Sequence, residues 1–192
     1  MSINKTYAVL GLGRYGKAVA EELVNNGAEV LAVDIDQNNV NNAIETIPVC
    51  KCADITEPEA IKRLGISNID VVIVAMASNL EASVMAVTLC KEAGVPTVIV
   101  KCGNEMHQKI LSRVGADRVI FPEKESGTRL AKNLLTSGFS EMIELSDEVS
   151  MVEIDVRDPR YVSESSNAEA RFSKRVTPLF LPTVTLWETR PS

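Results

Sequence analysis

The sequence predicts an α/β fold in which helices flank a doubly wound parallel sheet of about six strands. Three observations support this prediction. Short apolar segments alternate with helix-like segments, the apolar segments show no polar alternation, and a glycine-rich turn follows the first of them. Uninterrupted apolar runs are typical of strands buried on both faces of a parallel sheet, and regular alternation with helices implies right-handed crossovers.

Six strands are predicted along the chain. They span residues 7–10, 29–34, 49–53, 71–75, 95–101 and 118–121. The run 71–75, with the sequence VVIVA, is the strongest candidate for a central strand because it has no polar residue.

Helices are predicted between these strands and after the last one. They span about 14–26, 37–46, 57–64, 79–93, 105–114 and 123–136. Asp36 and Asn104 can cap two of the N-termini, and Gly27 is well placed to end the first helix. Thr56 and Glu59 have the spacing of a capping box.

Three regions follow from this pattern. Residues 1–138 are predicted to form the α/β domain, and residues 139–156 to link it to a second, C-terminal element. Within the link we expect a short helical turn over 140–145 and a strand over 150–156. Residues 157–192 are interrupted by prolines. They are predicted to be a truncated domain, a flexible tail or an end that does not come from the natural protein.

Composition excludes several functions. The 192 residues carry 20 Lys and Arg against 26 Asp and Glu, a net charge of −6, so no general attraction to nucleic acid is expected. The longest apolar run, 71–77, is too short to cross a bilayer, and no secretion signal is seen. We therefore expect a cytoplasmic protein that reaches a membrane only through a partner. The four cysteines form no C-x-x-C pair and are expected to pack as reduced, small apolar residues.

The segment 11–16, GLGRYG, is a G-x-G-x-x-G turn between a predicted strand and a predicted helix. Gly11 permits the tight turn, Gly13 lets the backbone approach a diphosphate, and Gly16 lets the helix pack on the sheet. The start of the helix then presents free N–H groups to the phosphates. The fold is therefore predicted to be Rossmann-like and to bind a nucleotide.

Asp34 ends the second predicted strand, where a carboxylate is expected to accept hydrogen bonds from both ribose hydroxyls. Its charge would repel a 2′-phosphate, and the next residues, 35–37, supply no arginine. Ile35, directly after it, is included among the ligand-binding residues. ATP, ADP, AMP or NAD(H) is therefore favoured over NADP.

Arg14 stands in the first turn of the first helix, where its guanidinium can reach a phosphate, and Tyr15 follows it in the same turn. Other ligand contacts are expected after the later strands, because open α/β sheets bind ligands at the carboxyl ends of their strands. These candidates are Asp54, the segment 75–79 with Ala75 and Met76 at its start and Asn79 at its end, Lys101 and Glu123.

Taken together, these segments resemble the RCK domain, which regulates the conductance of potassium and is also called the KtrA/TrkA type. The resemblance covers about residues 5–156 and lies in VLGLGRYG (9–16), VLAVDID (30–36), CADITE (52–57), VVIVAMASN (71–79), VIVKCGN (98–104) and GADRVIFPEKESG (115–127). The last run is specific, because generic dehydrogenase domains have no reason to share it. The tail departs from the family, since 158–192 does not read like its C-terminal subdomain.

The resemblance implies a homodimer, often within an octameric ring, on the cytosolic face of a membrane-embedded potassium channel or transporter. It implies ATP, ADP or NAD(H) in each Rossmann lobe, held at Gly11, Gly13, Arg14, Gly16, Asp34, Asp54, Ala75 and Lys101. It places Glu123 near the phosphates of a neighbouring subunit, with a divalent cation, on a helix that pairs subunits.

The function expected from the sequence is thus nucleotide-dependent regulation without catalysis. An NAD-dependent dehydrogenase is the alternative from another class, but it needs a substrate domain and a proton donor for which no residue set stands out. A free-standing NAD/NADH redox sensor with the same fold is the third interpretation.

Overall fold

The computed structural model describes residues 5–76, 79–135, 139–146 and 149–154. The chain divides into two compact units, Met1–Pro122 and Glu123–Ser192. The first unit contains a six-stranded sheet in the order β3-β2-β1-β4-β5-β6, and every pair of neighbouring strands is parallel. The predicted fold class is therefore confirmed.

The strands are close to their predicted positions. They are β1 (Thr6–Leu10), β2 (Glu29–Asp34), β3 (Val49–Cys52), β4 (Val71–Val74), β5 (Thr97–Lys101) and β6 (Arg118–Ile120). The largest difference is at β5, which begins two residues later than predicted. Pro96 precedes it, and a proline has no N–H to donate to the strand ladder.

The helices also follow the prediction. They are α1 (Arg14–Asn25), α2 (Gln37–Ala43), α3 (Pro58–Arg63), α4 (Leu80–Glu92), α5 (Glu105–Val114) and α6 (Pro122–Leu135). The Asp36 side chain accepts a hydrogen bond from the N–H of Asn38, and Asn104 accepts one from His107, so both predicted caps form. A short 3₁₀ helix, Ile66–Asn68, leads into β4.

The predicted capping box at α3 is wrong. Glu57 is the N-cap residue of α3, and its side chain makes no capping hydrogen bond. The Thr56 hydroxyl donates instead to Oδ1 of Asp54, at 2.6 Å. The carboxylate two residues earlier is therefore the acceptor that Thr56 uses, and the chain turns tightly there before α3 begins.

The core lies on both faces of the sheet, as continuous apolar strands require. All four residues of β4 are buried. Its Val72 packs in one cluster with residues of α4 and α5, while Ile73 packs in the other with residues of α1 and α2. Burial raises the pKa of Cys90 to about 12, so this thiol packs as a small apolar group, as predicted. Cys52 is exposed, which corrects that expectation for one cysteine.

Two aspartates tie strands together at the amino-terminal edge of the sheet. Asp70, before β4, accepts hydrogen bonds through Oδ2 from the N–H of Thr6 at 2.8 Å and from its hydroxyl at 3.0 Å. Asp117, before β6, accepts one from the N–H of Val98 at 2.6 Å and pairs with Lys91 at 2.9 Å. These contacts set the alignment of β1 with β4 and of β5 with β6.

Asp117→Asn is expected to reduce the loss of stability in acid. The hydrogen bond from Val98, and then Lys91, hold the pKa of Asp117 below its ordinary value of 3.8. A carboxyl group with a lower pKa in the folded state stabilises it above the unfolded pKa, and this contribution disappears as the pH falls through the folded pKa. Urea unfolding at pH 7 and at steps from pH 5 to pH 3 measures the effect.

The control for this prediction is Glu59→Gln, because Glu59 forms an exposed ion pair with Lys62. The free energy of unfolding of this variant should fall with pH as that of the wild type does, since exposed ion pairs contribute little to stability. An Asp117→Asn protein that loses stability in acid as steeply as the wild type would contradict the role given to Asp117.

The second unit contains most of α6 and a two-stranded antiparallel sheet, β7 (Phe139–Ser146) and β8 (Val149–Ile154). The predicted strand over 150–156 is confirmed, but the predicted helical turn over 140–145 is wrong. A single isolated turn of helix is unstable, whereas pairing with β8 satisfies backbone groups along this segment. The predicted tail, 157–192, lies outside the described residues.

In the described part of the chain, no helix combines the length and the apolar character that crossing a membrane requires.

Candidate functional site

A cleft of about 700 Å³ opens at the carboxyl-terminal edge of the sheet in the first unit. Residues that follow β1, β2, β3 and β4, together with the end of β5, form its walls. The strand order reverses here, because β1 lies between β2 and β4, and such a switch point is where open α/β sheets bind ligands. The lining residues are Gly11, Gly13, Arg14, Tyr15, Val33, Asp34, Ile35, Asn39, Asp54, Ile55, Thr56, Ala75, Met76, Asn79, Ala82 and Lys101.

The glycine turn is held by both neighbouring strands. The N–H of Gly11 donates to the carbonyl of Val33 at 2.7 Å, and the N–H of Ala75 donates to the carbonyl of Leu10 at 2.8 Å. Gly11 has a φ of +99°, which side chains rarely tolerate, and a Cβ there would lie 2.7 Å from Cγ of Met76. The tight turn predicted at this glycine is therefore present.

Gly16 is required by close packing within the protein. A Cβ at this position would lie 1.9 Å from the carbonyl oxygen of Gly11 and 2.9 Å from Cβ of Ala75. The first turn of α1 thus rests directly on the glycine turn and on the end of β4. This is the helix-to-sheet contact that the motif predicts.

Gly13 has a different reason to be glycine. Its φ is −63°, which any residue can adopt, and a Cβ there would meet no atom of the described residues within 4 Å. The position lines the cleft. Since the protein itself does not exclude a side chain here, the space is available for a ligand that approaches the backbone.

The N-terminus of α1 carries no group that would compete with an anion. Gly13 is its N-cap, no side chain caps it, and no acidic residue stands in the first turn. The first N–H groups of a helix have no partner inside the helix and carry partial positive charge. Together with the open space at Gly13, they form a site suited to phosphate oxygens.

Asp34 is nearly buried at the end of β2, with 9% of its surface exposed. Its Oδ2 accepts a hydrogen bond from the N–H of Leu12 at 2.6 Å and one from the amide of Asn39 at 3.2 Å. Its Oδ1 accepts one from the N–H of Asp36 at 2.8 Å. The carboxylate is therefore fixed in the cleft by the glycine turn and by α2.

Three further predicted residues bring positive charge and an aromatic ring to the cleft. Arg14 is exposed, and no described residue accepts a hydrogen bond from its guanidinium. The Lys101 ammonium lies 5.3 Å from the centre of the Tyr15 ring, a cation–π contact. Because Lys101 ends β5 and Tyr15 stands in α1, this contact joins the two sides of the cleft.

The remaining predicted contacts also line the cleft, apart from one. Ala75, Met76, Ile35 and Asp54 contribute to its walls, and Ile35 leaves 65% of its surface exposed there. Hydrogen bonds from the hydroxyl and then the N–H of Thr56 hold the pKa of Asp54 below its ordinary value. Glu123 lies in the second unit, exposed in the first turn of α6.

The structure adds residues that the sequence patterns did not indicate. Asn39, Thr56 and Ala82 line the cleft as well, beside the predicted Asn79. Thr56 follows β3, so its place after the end of a strand was a usable signal. Asn39 and Ala82 stand inside helices, where no motif marks them.

In the part of the chain that the structure describes, no three His, Cys, Asp or Glu side chains gather into a group that could hold a metal ion. A divalent cation at Glu123 stays a prediction.

Fold and cleft together define a Rossmann-type domain with a glycine-rich turn suited to phosphate oxygens. The sequence profile described as the TrkA-N domain matches residues 7–122. The chain belongs to this family, and the predicted RCK, KtrA/TrkA-type resemblance is confirmed.

Two relatives come from Bacillus subtilis (strain 168). Ktr system potassium uptake protein A is 42% identical over 151 residues, which are 79% of this chain and 68% of that protein. Ktr system potassium uptake protein C is 40% identical over 152 residues, 79% of this chain and 69% of that protein.

Solved structures of GsuK share the fold. GsuK bound to ADP superposes with a TM-score of 0.55 at 20% identity, covering 69% of this chain and 34% of that one. The GsuK channel bound to NAD superposes with a TM-score of 0.58 at 11% identity, covering 77% and 26%.

Proposed function

We propose that this chain is a cytosolic, nucleotide-sensing regulatory subunit of a membrane-embedded potassium transporter or channel. ATP, ADP or NAD(H) is the proposed ligand of the cleft. The observation that carries the proposal is the open space at Gly13. This glycine has ordinary backbone dihedral angles and stands at a helix N-terminus that no side chain caps. The potassium system is proposed because the relatives from Bacillus subtilis are named as potassium uptake proteins.

The residues present fit such a ligand. Backbone N–H groups at the start of α1 would hold the pyrophosphate, and Asp34 would accept hydrogen bonds from the ribose next to the glycine turn. Arg14 and Lys101 supply positive charge for further phosphates. Ile35 and Met76 offer apolar surface on which a base can lie.

Regulation is proposed to work by population shift. A ligand moves a conformational equilibrium only by its difference in affinity for the two states. A triphosphate adds a group that Arg14 would bind, together with a cation held by Glu123 of a neighbouring subunit, and a diphosphate lacks that group. A coupling of about 1–3 kcal/mol per site is typical of allostery. Added over the proposed dimer or ring, this would be enough to bias a gate.

Arg14→Ala is expected to narrow the difference in affinity between ATP and ADP by about tenfold, because a charge-assisted hydrogen bond contributes about 1.5–3 kcal/mol. Isothermal calorimetry with both nucleotides measures this directly. The matched control is Lys17→Ala, one turn further along α1, since Lys17 is bonded to the carbonyl of Asn42 and does not line the cleft. An unchanged ATP-to-ADP ratio in Arg14→Ala would count against the terminal-phosphate role.

The wild-type protein titrated with ATP, ADP, NAD and NADH tests the proposal as a whole. Binding of at least one adenine nucleotide, together with co-purification with a potassium transporter, supports it. Binding confined to NAD and NADH without such a partner favours a free-standing redox sensor. We assign no catalytic step to the cleft, and turnover of NADH with any substrate would overturn that assignment.

A further inference from the structure

Asn39 stands on α2, and its side chain lines two cavities. One is the main cleft, and the other is a polar cavity of about 750 Å³ that also involves Leu12, Arg14 and Lys17. Its amide nitrogen lies 3.2 Å from Oδ2 of Asp34. No predicted role accounts for this side chain, although it contacts the carboxylate that faces the proposed ribose.

The acceptor sites of Asp34 are nearly all in use. A carboxylate offers about four lone-pair positions. Oδ2 uses two of them, for the N–H of Leu12 and the amide of Asn39, and Oδ1 uses one for the N–H of Asp36. About one position remains, on Oδ1. A ribose with two neighbouring hydroxyl groups needs two acceptors, so Asp34 alone is short of one in this arrangement.

Asn39 has the missing acceptor. Because Oδ2 of Asp34 accepts, the Asn39 amide must donate through its nitrogen, and this fixes which way the amide is turned. The carbonyl oxygen of Asn39 then receives no hydrogen bond from any described residue. A side chain that is held by Asp34 and lines the cleft therefore brings a second, prepositioned acceptor beside the first.

We infer that Asn39 is a specificity-determining residue that forms, with Asp34, a pair of acceptors for the two ribose hydroxyls and so selects ribonucleotides against deoxyribonucleotides. This inference rests on the proposed binding of an adenine nucleotide in the cleft. It assigns one hydroxyl to Oδ1 of Asp34 and the other to the carbonyl oxygen of Asn39.

The test compares ADP, 2′-deoxy-ADP and 3′-deoxy-ADP by isothermal calorimetry. In the wild-type protein, each missing hydroxyl is expected to weaken binding about fivefold to tenfold, the effect of one hydrogen bond. In Asn39→Leu, the penalty for one deoxy position should vanish while the other remains. Asn39→Ala, which introduces no bulk, should behave in the same way.

Asn38→Leu is the matched control, because Asn38 is the adjacent residue of α2, is exposed and lines neither cavity. It should keep both penalties. If Asn39→Leu also keeps both affinity penalties, Asn39 binds neither hydroxyl and the inference is overturned. If both shrink together, Asn39 acts only by placing Asp34, and the inference is again overturned. The inference is also overturned if the wild-type protein binds all three nucleotides with equal affinity. If the wild-type protein binds no ADP, the proposal that ADP is the ligand is overturned instead.

Discussion

Gly16→Ala is expected to destabilise the first unit by roughly 3 kcal/mol or more, the upper range for overpacking. The new Cβ would lie 1.9 Å from the carbonyl oxygen of Gly11. That oxygen has little freedom to move, because the N–H of the same peptide group, that of Leu12, donates to Oδ2 of Asp34 at 2.6 Å. Helix α1 would have to lift off the sheet. The midpoint and slope of urea unfolding measure the loss.

Gly13→Ala is the matched control for stability, three residues away in the same turn. Its Cβ would meet no atom within 4 Å in the part of the chain that the structure describes. Alanine is a poorer N-cap than glycine but costs less entropy on folding, so the two effects offset each other to within about 1 kcal/mol. A Gly16→Ala protein that unfolds at the wild-type midpoint would show that α1 does not depend on this contact.

The same Gly13→Ala protein is expected to lose nucleotide affinity by on the order of a hundredfold. If phosphate oxygens approach the backbone at the start of α1, a methyl group at residue 13 occupies part of their space. Losing one or two hydrogen bonds to a charged group, at about 1.5–3 kcal/mol each, accounts for this factor. Calorimetry with ADP measures it, after the folded state has been verified by circular dichroism.

Gly127→Ala is the control for binding. Gly127 lies within α6, does not line the cleft, and a Cβ there meets none of the described atoms within 4 Å. Its affinity for ADP should match the wild type. Wild-type affinity in Gly13→Ala would mean that the phosphates bind elsewhere, and it would leave the open space at Gly13 without an explanation.

Sequence patterns predicted the first unit well because two independent signals agree there. Apolar runs such as 71–75 require burial on both faces, and the glycine turn fixes the connection of the first strand to α1. Predicted site residues that follow β1 to β4, and Lys101 at the end of β5, line one cleft because the carboxyl ends of parallel strands meet at one edge. Asp34 and Lys101 are far apart in sequence, yet both line the cleft for this reason.

The failures have physical reasons too. The segment Phe139–Ser146 is a strand because a partner strand supplies its hydrogen bonds, and a local pattern does not reveal that partner. Thr56 does not cap α3, because the helix begins one residue later, with Glu57 as its N-cap residue, and the Thr56 hydroxyl donates to Asp54. No sequence pattern marks Asn39, because its proposed role depends on contact with Asp34, and its position within a helix does not indicate that contact.

The amino-terminal and carboxyl-terminal edges of the sheet have different roles. Asp70 and Asp117 fasten neighbouring strands at the amino-terminal edge, while the cleft occupies the carboxyl-terminal edge. Changes to the exposed cleft side chains can thus alter ligand preference at little cost to folding, although the glycine turn itself tolerates few changes. In such an arrangement, proteins that share an ancestor can come to bind different ligands while they keep the contacts that stabilise the fold.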